Sequence, residues 1–230
     1  MSLKVEHGPD SGDTIHNPFY SPRVKPPIDA EWQARRELAN TLRELMDSMV
    51  SAKGDLDTLQ AVNRALKEQL ATVKASPHYD GRFGFHKAEV ERYPTIAGLY
   101  YELSPLIGQS NPLSAPLKIW VDGEEIYGEV KLGWQYEGPP GSVHGGFIAA
   151  IFDEFLGLGQ RITGTNGFTG TLSVRYHNLT PLHKTLNLTG KIKSVEGRKK
   201  TLLAEMWSDD VMTASCEGIF IDVGIPAVGV

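Results

Sequence analysis

The chain has 230 residues, enough for one domain of average size plus an appendage. Its 23 Lys and Arg against 28 Asp and Glu give a formal charge of −5, and the basic residues are scattered, which argues against a nucleic-acid surface. A single cysteine, Cys216, excludes an internal disulfide, and the Cys and His positions show no paired metal-ligand spacing, so no metal is expected.

The opening Met1-Ser2-Leu3-Lys4-Val5-Glu6-His7 lacks the apolar centre of a secretory leader, and no run of about 18 apolar residues is present to span a bilayer. A cytoplasmic protein is the expectation. Residues 1–28 are rich in Pro, Gly, Ser and Asp without periodicity and read as a flexible arm. At Asp29, a suitable N-cap, a helical pattern begins. Leu38, Leu42, Leu45 and Met49 form one apolar stripe, and Lys53-Gly54-Asp55 interrupts it. A second stripe, Leu59, Val62, Leu66, Leu70 and Val73, runs to Ser76-Pro77. Residues 29–76 are therefore expected to form a helical hairpin packed on the main domain or a neighbouring subunit. Frequent Gly and Pro make 77–114 an irregular connecting region.

From residue 115 the pattern is regular. Two strand-like runs, Leu117 to Val121 and Glu125 to Leu132, flank the turn Asp122-Gly123. The loop Gly138-Pro139-Pro140-Gly141 leads to an apolar helical segment from about His144 to Gly159. Four more strand-like runs follow near 168–179, 185–195, 200–208 and 211–223, with turns at Glu196-Gly197 and Asp209-Asp210. This order predicts an α+β domain in which a sheet wraps a single helix.

That helix, Gly145 to Gly159, is apolar on every side, so it should be buried in a core or against another subunit. Two adjacent carboxylates within it, Asp153 and Glu154, are costly unless partnered or functional. Asp153 shares its face with Gly146, Ala149, Ala150 and Gly157, which leave room for a ligand; Glu154 shares one with Phe147, Ile151 and Leu158 and reads as a structural acid paired with Arg or an amide. Ahead of the helix, Val143-His144-Gly145-Gly146 offers backbone N–H groups to negative charge such as an oxyanion. Gly145 and Asp153 lie eight residues apart, about 12 Å along one helix axis, too far to serve one carbonyl. A site using both must combine two chains, which implies at least a dimer.

At these residues the sequence resembles the hotdog-fold acyl-CoA thioesterases of the PaaI-type and mammalian thioesterase-superfamily-member branch. The resemblance covers about residues 115–223. It rests on Gly138-Pro139-Pro140 leading into His144-Gly145-Gly146 and Asp153, then on Thr169 to Tyr176, Pro181-Leu182 and Val195-Glu196-Gly197-Arg198-Lys199. It implies a hotdog domain over 115–230 and hydrolysis of acyl-CoA to free acid and CoA, with no cofactor and a homodimer or dimer of dimers. By position, Asp153 matches the catalytic base or nucleophile and Gly145 the amide that holds the thioester carbonyl, with His144 beside it. Thr169 matches a Ser/Thr that orients the water or the Asp. Gly146 is expected at the substrate, with Arg198 and Lys199 near the CoA phosphates. Gly138 stands where some relatives carry an Asn that adds a carbonyl ligand. Two other readings are a non-catalytic acyl-CoA sensor using the helical extension and a hotdog hydratase. Cys216, in a strand-like run, reads as a buried inert thiol.

Overall fold

The computed structural model describes residues 30–92 and 101–226. The arm 1–28 and the expected N-cap Asp29 lie outside them. Six strands form one antiparallel sheet in the order β1-β2-β4-β5-β6-β3. β1 (Lys118–Asp122) and β2 (Glu125–Lys131) form the hairpin expected around Gly123, whose φ of 60° is the left-handed conformation the turn needs. α4 (Gly145–Gly159) follows, then β3 (Thr165–Tyr176), β4 (Thr185–Glu196), β5 (Lys199–Ser208) and β6 (Val211–Pro226). The chain passes from β2 through α4 to the far edge of the sheet before returning to β4. Among the described residues no helix is long and apolar enough to cross a membrane.

Alternation along the strands places one apolar face against α4. β4 begins buried at every second residue, and Leu186, Leu188, Met206, Ala214 and Phe220 lie under the helix in the core. The helix can sit close because the sheet is thin beneath it. A side chain at Gly128 or Gly190 would approach the Phe155 ring to 3.1 or 2.7 Å. Phe152, Phe155 and Leu156 consequently reach complete burial. This is the hotdog arrangement, a sheet wrapped on one helix, in an α+β chain with helices ahead of it.

Two N-terminal helices fall where the apolar stripes place them, broken at Lys53-Gly54-Asp55, but neither docks on the main domain through its stripe. α1 (Ala30–Ser51) buries Trp32, Arg36 and Ala39, while Leu38 and Met49 of its apolar stripe stay exposed. Its docking is largely polar. Arg36 pairs with Glu102 in a buried ion pair that Ser110 completes at 2.8 Å. Arg43 donates to the carbonyls of Asn111 and Gln109, and Asp47 accepts the Trp134 amide at 2.5 Å. These anchors turn α1 by about one position from the face its leucines mark. α2 (Leu56–Lys74), capped by Asp55 through the Thr58 amide, is exposed along its whole length and packs on neither α1 nor the sheet. Within the stretch read as irregular, Gly81–Arg92 forms a helix, α3, whose Phe85 meets Trp32 edge-on at 5.6 Å. An aromatic contact made in the tertiary fold stabilises a segment that its glycines disfavour.

Removing one partner of a buried ion pair strands the other charge. Arg36→Ala should lower unfolding free energy by about 3–5 kcal/mol in urea titrations and speed amide exchange in α1, whereas Arg35→Ala, whose pairing with Glu31 is exposed, should change it by about 0.5 kcal/mol or less.

Candidate active site

The site is built on α4 and β3. His144 is the N-cap of α4, and its Nδ1 accepts the Gly146 amide at 3.0 Å. Accepting there requires an unprotonated Nδ1, so the ring's Nε2 carries the proton when His144 is neutral. The amides of Phe147 and Ile148 donate to the His144 carbonyl. Among the described residues, the Gly145 amide is left at this helix start without an internal acceptor. An anion could take it, with the helix dipole behind it.

The approach to this end is rigid. The amides of Val143 and His144 donate to the carbonyls of Thr180 and Tyr136. Gly138, where some relatives of the resembled family carry Asn, is pressed so closely on His144 that a Cβ would stand 2.6 Å from the His144 Cα. No side chain fits there on this backbone, so the Gly145 end depends on backbone donors.

Two turns further along α4, the Thr169 hydroxyl donates to Asp153 Oδ1 at 2.7 Å. Sequence reasoning did not single out Tyr176, whose hydroxyl donates to the Gly145 carbonyl at 2.9 Å. A single strand therefore holds both chemical ends of α4. Thr169 and Tyr176 are seven residues apart and should face opposite sides of a regular strand. Gly170 is an extra residue in the ladder between Thr169↔Phe220 and Thr171↔Ile219, and this bulge brings both side chains to the helix side.

Burial around α4 is one-sided. Ile148, Ile151, Phe152, Phe155, Leu156 and Leu158 are buried, whereas Gly146 is exposed and Ala149, Ala150, Asp153 and Gly157 are half-buried. The expectation of a helix covered on every side is thus met on the sheet side alone; the small-residue face is open in the single chain. Glu154 points elsewhere. Burial pushes its carboxyl above the ordinary range, opposed by the Arg82 charge and by the Ser104 hydroxyl at 3.4 Å. That environment fits the expected structural acid near an Arg. Cys216 is buried, and burial together with the Asp153 charge pushes its thiol up to about 12, as an inert thiol requires.

Arg198 and Lys199 do not join this group. Lys199, Ile221 and Phe168 occupy one row across the sheet, beside the row of Lys200, Phe220 and Thr169 that faces α4. Successive residues face opposite sides, so Lys199 lies on the outer surface, away from its own chain's Asp153. Arg198 Nε donates to the Asp222 carbonyl. The buried Lys200 binds Thr165 and pairs with Asp222 at 3.4 Å, tying the start of β3 to β5 and β6. His177 bonds Ser215 Oγ, and His183 packs on Trp134, so both histidines have structural contacts.

The raised Glu154 carboxyl carries a pH signature. The folded chain binds this proton more tightly than the unfolded chain, so its stabilising effect is complete below the ordinary glutamate range and is lost as pH rises through the raised value. Relative to wild type, Glu154→Gln should therefore gain Tm as pH goes from about 4 to about 7. Thermal unfolding followed by circular dichroism across that range measures the difference.

No family model matches the sequence. Human acyl-coenzyme A thioesterase THEM5 is 32% identical over 89 residues, 38% of this chain and 36% of that protein. Acyl-coenzyme A thioesterase THEM4 of Xenopus laevis is 36% identical over 74 residues, 32% of this chain and 33% of that protein. The matched region thus spans about a third of the length of these curated relatives. A crystal structure of a thioesterase superfamily protein superimposes with a TM-score of 0.67 and 28% identity, over 82% of this chain and 90% of that one. The wrapped helix and the six-strand order give the chain the hotdog fold, and over these stretches it is similar to acyl-coenzyme A thioesterases and to a thioesterase superfamily protein.

Proposed function

We propose that the protein hydrolyses acyl-CoA thioesters to free acid and CoA in a site shared by two copies of the chain. One observation carries this reading. The Asp153 carboxylate held by Thr169 and the unused Gly145 amide are the two groups such chemistry needs, yet they stand about 12 Å apart on one straight helix. A second helix running the other way across the open small-residue face would bring the Asp153 of one copy to the Gly145 of the other.

In such a site the thioester carbonyl oxygen points at the Gly145 N–H. Asp153 either draws a proton from water as it attacks the carbonyl carbon or attacks that carbon itself. The electron pair displaced from the C=O bond collects on oxygen, where the amide and helix dipole stabilise it. As the oxygen re-forms its double bond, the C–S bond breaks and CoA leaves as a thiolate, a good leaving group. If Asp153 attacks directly, water then cleaves the acyl-aspartyl anhydride. Thr169 orients the carboxylate, and His144 and Tyr176 together hold the Gly145–Gly146 peptide next to the donor, His144 accepting its N–H and Tyr176 donating to its carbonyl. Lys199 lies on the sheet face away from the Asp153 of its own chain, with Arg198 beside it in the β4–β5 turn, so in this reading they meet the CoA phosphates bound at the partner's carboxylate. Among the described residues β3 is an edge strand, which offers a ladder for the pairing of copies. A homodimer is the minimal assembly, and the likeness to named acyl-CoA thioesterases supports the substrate class.

Asp153→Asn should lower kcat by about 10³-fold or more, and Thr169→Ala by about 10- to 100-fold, with a free-thiol assay as the readout. Gly145→Pro removes the donor at a first helical position that tolerates proline, with His144 already extended at ψ 132°. Asp153→Asn and Gly145→Pro proteins, each inactive, should regain about a quarter of wild-type activity after unfolding and refolding as an equal mixture. Half of the dimers would then be mixed, each with one intact site. A mixture as inactive as its parents would sink the shared site.

A further inference from the structure

We propose that α2 is a self-association element that pairs in parallel with the α2 of a second copy of this chain. Among the described residues, the helix buries none of its side chains. Leu56, Leu59, Leu66, Leu70 and Val73 are 68, 50, 37, 50 and 52% exposed, and Val62 beside them is 38% exposed. Together they present about three side chains' worth of apolar surface, on the order of 500 Å² per helix, as large as the largest patch of a typical monomer. A symmetric pair would bury about 1,000 Å², the threshold for a specific interface.

The spacing identifies the occupant. Leu56, Asn63 and Leu70 recur every seven residues, as do Leu59, Leu66 and Val73 offset by three, which is the a and d pattern of a two-stranded coil. The central a position is Asn63, a polar residue that an apolar partner would leave unsatisfied. In a parallel, in-register pair it meets the same Asn of the other copy, amide to amide; in an antiparallel pair it would face Leu66. The flanking g and e' positions, Val62 with Lys67 and Gln69 with Lys74, bring no like charges together. The rest of the helix mixes Asp57 and Glu68 with Arg64, Lys67 and Lys74, unlike the basic face of a membrane-surface helix. A coil of fewer than three heptads is marginal by itself. The pairing therefore draws strength from the two-fold assembly proposed above, which holds the two helices at high effective concentration.

The full chain tests this with Cys216→Ala as background and one cysteine introduced on α2. Under a mild oxidant, Leu66→Cys, at a d position, should link chain to chain at least about five-fold faster than Glu68→Cys on the outer face. Adding Leu59→Asp, an exposed substitution that leaves the monomer folded by circular dichroism, should abolish the difference. Equal linking at both positions, no linking at all, or linking only between Asn63→Cys and Leu66→Cys chains overturns the proposal. Sedimentation and the refolded-mixture assay separate the two ideas. Restored activity without the Leu66→Cys link refutes the coil and leaves the shared site, whereas the link without restored activity does the reverse.

Discussion

A helix cannot be shortened. Eight residues of α4 separate Gly145 from Asp153, and at 1.5 Å per residue no rotation of side chains closes the 12 Å between them. The rod is fixed because its opposite side is locked into the core: the Phe155 ring lies over Gly128 and Gly190 and cannot slide without striking backbone. Everything chemical on the open side therefore has a defined position. The glycines and alanines there keep that side open, since a bulky residue beside Asp153 would fill the space next to its carboxylate.

β3 makes this arrangement respond to its surroundings. It is an edge strand, and by way of the Gly170 bulge it reaches both ends of the rod, with Thr169 at Asp153 and Tyr176 at the Gly145 peptide. Any contact that straightens or shifts β3 moves both groups together. A copy added at that edge would touch the strand that sets the geometry, which would couple assembly to the alignment of the two groups.

The sequence made the central features legible because they rest on local rules. Alternation and the Asp122-Gly123 turn mark the strands, and length with all-round apolarity marks α4. Asp153 stands out because the pattern around it has no place for a charge. What escaped was set by long-range partners. The leucines of α1 suggest a docking face, but Arg36, Arg43 and Asp47 choose another, because Glu102, the Asn111 and Gln109 carbonyls and the Trp134 amide await them there. Phe85 holds α3 in a helix through Trp32, a partner distant in sequence. Tyr176 was hidden by the bulge, since counting by two assigns it to the wrong face. The Arg198-Lys199 pair was legible as a basic turn, but the sheet face on which Lys199 lies depends on a register that sequence does not display.

The two adjacent acids show how environment assigns roles that residue type cannot. Glu154 turns toward the large side chains and Ser104, where burial favours its neutral form. Asp153, one position earlier, turns about 100° around the rod to the open side and accepts a hydrogen bond from the Thr169 hydroxyl. The two environments diverge because a single step along a helix exchanges core for cleft.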